Sequence, residues 1–225
     1  MAYLGRVVGV GNVDWLYFSF YGLASKSARD RTFRENPRKN RVEIVPAGQA
    51  LGPIRRNPDF ILDYTANHYA CLSGFHTRDG VPIMVSANGN MGKYLKGQLT
   101  HRGWKIADCL NHTLHTLVPQ ERDDPRLVAV CNGAETFFGT FSVDDEEPRI
   151  TLFSKLSNSR LQYVTLTDSK NIQTIDIQRV SNPDGLAKIL YYQIYGKDPE
   201  FGIGAAVCLR SQDQFNLEVF IDPNA

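Results

Sequence analysis

The sequence predicts an α+β fold in which antiparallel sheets pack together and helices lie outside them. Short runs rich in Val, Ile, Tyr, Phe and Thr recur along the chain, and most are bounded by Gly, Asn, Asp or Pro. Two amphipathic helical segments interrupt these runs without alternating strictly with them. No Pro-, Gly- or Ser-rich linker divides the chain, so we expect one domain over residues 1–225.

The predicted strands are short and are rich in β-branched and aromatic residues. They cover 3–10, 15–21, 41–45, 60–64, 81–86, 127–131, 135–141, 149–153, 161–166, 172–180, 205–209 and 216–221. Segments 29–41 and 88–102 are polar, so we expect loops there.

The two predicted helices cover 104–117 and 183–195, where apolar residues recur at helical spacing. In the second, Asn182 is the predicted N-cap and Pro183 the first helical residue. Gly196 is its predicted end.

Composition limits the classes of partner. Lys and Arg number 25 against 24 Asp and Glu, which argues against nucleic-acid binding. The chain has no apolar run of about 18 residues and no basic leader, so we expect no membrane span and no signal peptide. Cys71, Cys109, Cys131 and Cys208 lack paired spacing, so neither a disulfide scaffold nor a zinc site is indicated. We expect a reduced, cytoplasmic protein; the sequence leaves its oligomeric state open, a homo-oligomer included.

Residues 24–34 form a basic segment that overlaps 29–41, the most basic stretch of the chain. They include Lys26, Ser27, Arg29, Arg31, Thr32 and Arg34. Guanidinium groups and hydroxyls suit phosphate oxygens, although a solvated charged loop has the same composition.

Three segments contain an Asn in a predicted turn: 55–58, 86–90 and 131–135. Asn-Gly is first a turn signal, because both residues tolerate positive φ. An Asn side chain also offers a donor and an acceptor to a carboxamide or a purine edge. Both interpretations stay open on these residues alone.

Other candidate residues have equally plain structural interpretations. Asp108, His112 and His115 share a helix face, but surface or packed histidines are the default and we expect no metal. Tyr64 at the end of a strand and Glu121 in a loop are a candidate hydroxyl donor and a candidate acid/base carboxylate.

The order of these segments resembles the archaeal-type inosine monophosphate cyclohydrolase family. The matching blocks are YLGRVVGVG at 3–11, ASKSARDRT at 24–32, RRNP at 55–58 followed by Tyr64, ANG at 87–89, and DPRLVAVCNGAETFFG at 124–139. Together they span most of the chain, with short insertions between them.

The resemblance implies a four-layer αββα sandwich like that of N-terminal-nucleophile hydrolases, without their processed nucleophile, since Ala2 and Tyr3 follow Met1. It implies reversible cyclisation of 5-formamidoimidazole-4-carboxamide ribonucleotide to inosine monophosphate with loss of water. The attacking nitrogen belongs to the substrate, so no cofactor or metal is needed. The partner is a purine ribonucleotide.

The resemblance also implies the site residues. Arg31, Tyr64 and Glu121 would be catalytic, and Lys26, Ser27, Thr32, Asn57, Asn88, Gly89, Asn132, Gly133 and Glu135 would bind substrate. Lys26 stands where the family has Arg.

Two alternatives remain. One is an amidohydrolase of the same fold with an internal nucleophile, Cys71 or Cys131. The other is a non-catalytic purine-nucleotide-binding protein, because HTLVPQERDD replaces the family's acidic stretch before residue 125.

Overall fold

Two antiparallel sheets face each other and carry helices on their outer faces. The computed structural model describes residues 5–24, 31–46, 69–117, 125–153, 156–177, 185–196, 202–212 and 214–223. Within these ranges the mixed architecture is that of the α+β class, as the sequence predicts.

The described strands pair antiparallel throughout. They are β1 (Val7–Val13), β2 (Leu16–Leu23), β3 (Arg31–Asn36), β4 (Arg41–Pro46), β5 (Tyr69–His76), β6 (Pro82–Ala87), β7 (Arg126–Cys131), β8 (Thr136–Phe141), β9 (Arg149–Phe153), β10 (Arg160–Thr165), β11 (Gln173–Asp176), β12 (Gly204–Ser211) and β13 (Gln214–Ile221). One sheet has six strands in the order β11-β10-β1-β2-β12-β13. The other has seven strands, β3 to β9, in chain order.

Three described α-helices cover the outer faces: α1 (Met91–His101), α2 (Ile106–Thr116) and α3 (Leu186–Tyr195). A short 3-10 helix, Pro37–Lys39, joins β3 to β4. The apolar faces of α1 and α2 pack on the seven-stranded sheet, and that of α3 packs on the six-stranded sheet. Between the sheets lies a third apolar layer to which both contribute, including Val8, Tyr21, Leu72, Met84 and Phe138.

The prediction of a loop over 29–41 is wrong, because β3 occupies 31–36. The polar composition of this segment does not indicate a strand. Alternate residues, such as Phe33, face the layer between the two sheets, and Arg34 on the other face is ion-paired with Glu43 on β4. The prediction also missed β5, and the strand predicted over 60–64 lies outside the described residues.

The loop predicted over 88–102 is also wrong, because α1 occupies most of it. Its buried face consists mainly of Met91, Leu95 and Leu99, spaced four residues apart. Gly92 and Gly97 within the segment lower helix propensity and hide this short stripe.

Helix α3 begins at Leu186 and is capped from another strand. Pro183, the predicted first helical residue, lies outside the described residues. Gly185, at φ 99°, turns the chain into the helix in a conformation that glycine adopts readily. The Glu218 carboxylate on β13 accepts hydrogen bonds from the amides of Leu186 (3.1 Å) and Ala187 (3.0 Å). It therefore satisfies two free N–H groups and complements the helix dipole. Asn182, the predicted cap, lies outside the described residues.

Replacing Glu218→Gln should lower the free energy of unfolding by about 1 kcal/mol, because the amide removes the negative charge and one acceptor from the helix terminus. Urea unfolding followed by circular dichroism measures this loss. The matched control is Glu146→Gln in an exposed loop, which should change stability by less than about 0.5 kcal/mol. Equal effects of the two substitutions would show that Glu218 is not the cap.

Candidate active site

A buried polar network connects the two sheets at one end of the sandwich. Arg6, just before β1, donates from Nη1 to Oδ1 of Asn88, just after β6, at 2.8 Å. The Tyr69 hydroxyl donates to the same oxygen at 3.2 Å. The hydroxyls of Tyr69 and Tyr21 are 2.8 Å apart. Because the Tyr69 hydrogen is directed to Asn88, Tyr21 is the donor between the two tyrosines.

The orientation of the Asn88 amide follows from its other contacts. Its Nδ2 donates to the carbonyl of Pro125 at 3.3 Å, and its backbone N–H donates to that of Leu127 at 2.8 Å. The oxygen is therefore the end that receives Arg6 and Tyr69. Asn88 is 2% exposed, so each of these hydrogen bonds takes the place of a hydrogen bond to water that is lost on burial.

A β-bulge in β5 helps to aim Tyr69 into the space between the sheets. Val42 pairs with Leu72 and Glu43 pairs with Ala70, which leaves Cys71 as an extra residue. The Cys71 thiol donates to the Val42 carbonyl at 3.4 Å. Tyr69, Cys71 and Leu72 all lie in the layer between the sheets as a result.

Both tyrosines keep their protons more firmly than an exposed phenol. Burial raises the pKa of Tyr21 well above its ordinary value, and the neighbouring Tyr69 adds to the rise. Burial also raises the pKa of Tyr69, while the positive charge of Arg6 and the hydrogen bond from Tyr21 oppose that rise. At neutral pH both groups are therefore neutral hydrogen-bond donors.

Arg31 lies near this network, whereas Thr32 does not share its face. Arg31 is close enough to Tyr69 for its charge to lower the Tyr69 pKa, although less than Arg6 does. Thr32 follows it on β3 and pairs with Val45, so it points to the opposite face of the sheet. The structure thus places the charge of Arg31 near Tyr69 and turns Thr32 to the opposite face of the sheet.

Gly89 continues the turn that carries Asn88. Its φ of 97° is in the left-handed region that favours glycine. The turn leads through Asn90 directly into α1. The prediction that Asn88-Gly89 forms an Asn-Gly turn after a strand is confirmed.

The Asn132 turn lies at the other end of β7. Asn132 Oδ1 accepts from the amides of Ala134 (2.9 Å) and Glu135 (2.7 Å), and Gly133 has φ 89°. From Leu127, beside Asn88, the strand runs five residues to Asn132, or about 17 Å. The structure therefore does not bring Asn132, Gly133 and Glu135 together with Asn88.

The Asn132 turn borders a surface groove of its own. Asn132 and Glu135 line a surface groove of about 580 Å³ with Asp79, Trp104 and Lys105. The hydrogen bonds of the Asn132 side chain remain within its own turn. In the described structure its role is that of a turn residue.

The remaining predicted residues lie outside the described residues. They are Lys26, Ser27, Asn57, Tyr64 and Glu121. The described residues that flank their segments lie at the end where Asn88 lies: β2 and β4 end there, and β3, β5 and β7 begin there. Leu117, before the last segment, accepts a hydrogen bond from Arg126 at this end.

The four cysteine thiols are buried and have little thiolate character. Burial raises the pKa of Cys71 well above its usual value and raises that of Cys131 as well. It raises the pKa of Cys109 to about 11 and that of Cys208 to about 12. Since the thiolate is the nucleophile, none of these groups is poised for covalent catalysis.

The histidines weighed as metal ligands have other neighbours. The His112 ring packs edge-on against Trp104, and His115 Nε2 lies 3.2 Å from Glu147. Within the described ranges, no group of three His, Cys, Asp or Glu side chains could hold a metal ion. No helix among the described elements is long and apolar enough to cross a membrane.

No family model matches the chain. Sequence reasoning selected Arg31 and Asn88 but missed Arg6, Tyr21 and Tyr69. Arg6 stands inside the YLGRVVGVG block, and this was its one available signal. Tyr21 and Tyr69 read as ordinary strand residues, because their partners are far away in the chain.

Replacing Asn88→Ala should lower the free energy of unfolding by about 3 kcal/mol, because it leaves the Arg6 guanidinium and the Tyr69 hydroxyl buried without their shared acceptor. The matched control is Asn132→Ala, which loses exposed turn hydrogen bonds and should cost about 1 kcal/mol. Urea unfolding measures both. A smaller loss for Asn88→Ala than for Asn132→Ala would contradict the network.

Proposed function

We propose that the chain is an inosine monophosphate cyclohydrolase that closes 5-formamidoimidazole-4-carboxamide ribonucleotide to inosine monophosphate. In this reaction the carboxamide nitrogen attacks the formyl carbon, a carbon–nitrogen bond forms, and the formyl oxygen leaves as water. The enzyme must hold a reactive rotamer, stabilise negative charge on the formyl oxygen and transfer protons.

The observation that carries the proposal is the buried network of Arg6, Asn88, Tyr69 and Tyr21 at the end where Arg31 begins β3. Two permanent positive charges act there on one neutral phenol. Such fixed donors and charges stabilise an oxyanion without reorganisation when the reaction occurs. The network also lies within two of the blocks that carry the family resemblance, at Arg6 and Asn88.

Arg31 is proposed to bind the phosphate or the reacting carboxamide, together with Lys26 and Ser27. Thr32 points to the opposite face of the sheet and gains no support as a member of this pocket. Tyr64 is proposed to donate to the formyl group. The Asn88-Gly89 turn is proposed to meet the purine edge, as is Asn57 by its place in the family motif. Asn132, Gly133 and Glu135 lie about 17 Å away along β7, which gives them no support as members of the same pocket.

Glu121 remains the proposed acid/base carboxylate, since two other carboxylates are committed elsewhere. Glu43 is ion-paired with Arg34 and Arg41 on the opposite face of the seven-stranded sheet. The Glu135 carboxylate accepts a hydrogen bond from Asn132 Nδ2 at 3.5 Å within the same turn. Glu121 belongs to the segment that leads into β7 at the Asn88 end.

The burial of the cysteines argues against an amidohydrolase with an internal thiol nucleophile. Cys71 and Cys131 would need a lowered pKa, and burial acts in the opposite direction on both. In the proposed reaction no protein nucleophile is required, because the substrate supplies it.

The finer structural and cellular assignments belong to the same proposal. The layer order of helix, sheet, sheet and helices supports an N-terminal-nucleophile-hydrolase-like sandwich. The proposed enzyme is cytoplasmic, needs neither metal nor cofactor, and acts on a purine ribonucleotide; a homo-oligomer is compatible with it.

Incubation of the purified chain with the formamido ribonucleotide should give the absorbance rise of a closed purine. Arg31→Ala and Tyr64→Phe should each lower turnover about 100-fold, because each removes a donor to developing charge. Tyr69→Phe should lower it about tenfold, because the phenol is lost while the ring remains packed.

The matched control for Arg31→Ala is Arg38→Ala, an exposed arginine in the 3-10 helix, which should keep wild-type turnover. Cys71→Ala and Cys131→Ala should keep most of it, whereas a nucleophilic cysteine would lose it. Binding of the ribonucleotide without turnover would favour the nucleotide-binding alternative, and absence of both would refute the assignment.

A further inference from the structure

A second site lies on the outside of the molecule, in a groove between α1 and α2. The groove has a volume of about 530 Å³ and is lined by Lys93, Tyr94, Gly97, Gln98, His101, Arg102, His112 and Thr116. Its size falls within the range of small-molecule sites. The seven-stranded sheet separates it from the network around Asn88, since α1 and α2 pack on that sheet's outer face.

The groove is lined by donors and cations. Lys93 and Arg102 supply permanent positive charge, and His101 and His112 supply imidazole groups. None of the described residues that line it is a carboxylate. A concave surface with this charge favours an anion.

Two contacts hold the lining of the groove in a fixed arrangement. The Arg102 guanidinium lies 5.2 Å from the centre of the Trp104 ring, which packs in turn on His112. This cation–π contact holds the guanidinium in place at the end of α1. Along the bottom, the Thr113 hydroxyl donates to Gln98 Oε1 at 3.1 Å and fixes the two helices to each other.

The presence of a glycine at position 97, inside α1, is the strongest argument for a ligand in the groove. Gly97 lies in the interior of α1, where glycine costs about 1 kcal/mol relative to alanine. Apart from the two adjacent residues and the helix's own backbone, no heavy atom of the described residues lies within 4 Å of the position of a Cβ there. Packing within the described chain therefore gives no reason for a glycine, while a side chain would project into the groove that Gly97 lines.

We propose that this groove binds a small phosphorylated molecule of mononucleotide size, with the phosphate at Lys93 in the first turn of α1, a planar group over Tyr94 and Gly97, and Arg102 at the far end of the helix donating to the polar edge of that group. Lysine offers a point charge to phosphate oxygens near the positive end of the helix dipole, and arginine offers a planar fork of donors to acceptors on a ring edge. Tyr94 is 44% exposed and presents a ring for stacking. The site is separate from the proposed catalytic centre and does not depend on it.

Adenosine monophosphate is the probe, titrated into the labelled chain while the backbone amide of Gly97 is followed by NMR. The Gly97 signal should shift and saturate. Lys93→Gln and Arg102→Gln should each weaken binding at least about tenfold, because a charge-assisted contact is lost. Adenosine without phosphate should bind at least as weakly as these variants bind the nucleotide.

Two controls locate the effect. Lys96→Gln lies on the same helix, but Lys96 packs over the Phe75 ring on the other flank, so binding should not change. Arg31→Ala should also leave the Gly97 shift unchanged, which separates this site from the catalytic one even if the chain shows no turnover. An unshifted Gly97 amide, or equal binding by Lys93→Gln and the wild type, would overturn the proposal. Tighter binding of an RNA oligonucleotide than of the mononucleotide would overturn it as well.

Gly97→Ala gives a test with two opposite readouts. The methyl group should raise the midpoint of thermal unfolding by about 2–4 °C, because helix propensity improves. The same group should weaken adenosine monophosphate binding at least about tenfold by occupying the groove. A stabilised variant that binds as tightly as the wild type would show that the groove is not the site.

Discussion

The structure depends on a set of hydrogen bonds that cross between the two sheets at one end. The layer between the sheets is largely apolar, so polar groups there are costly unless they pair. Arg6 reaches Asn88, Tyr21 reaches Tyr69, and the Ser86 hydroxyl donates to the Phe20 carbonyl at 2.5 Å. Since each bond has one partner on each sheet, together they set how the sheets register at that end.

The same bonds explain why this end can support chemistry. They hold a guanidinium, an amide and two phenols in fixed positions where water is largely excluded, which strengthens each electrostatic interaction. Burial keeps the phenols protonated, and Arg6 and Arg31 place positive charge near Tyr69. A substrate that carries its own nucleophile needs this kind of environment and does not need a reactive protein group.

Local patterns predicted the parts of the fold in which one face is continuously apolar. Helix α2 and the strands β7 to β9 follow such patterns closely. The pattern failed at β3, where Arg34 is matched by Glu43, and at α1, where two glycines interrupt the helical signal. Asn88 could be selected from its turn, but its partner Arg6 lies 82 residues away, and no local signal reports such a pair. The capping role of Glu218 could not be predicted for the same reason, because it caps a helix from a strand that is distant in the sequence.

The most direct test of this account is to add inosine monophosphate to the labelled chain and record which backbone amides shift first. Arg6, Arg31 and Asn88 should respond at the lowest concentration, because they surround the proposed substrate site. Asn132 to Glu135, at the other end of β7, should respond weakly or not at all. Early shifts confined to the Asn132 turn, with Arg6 and Asn88 unchanged, would contradict the account.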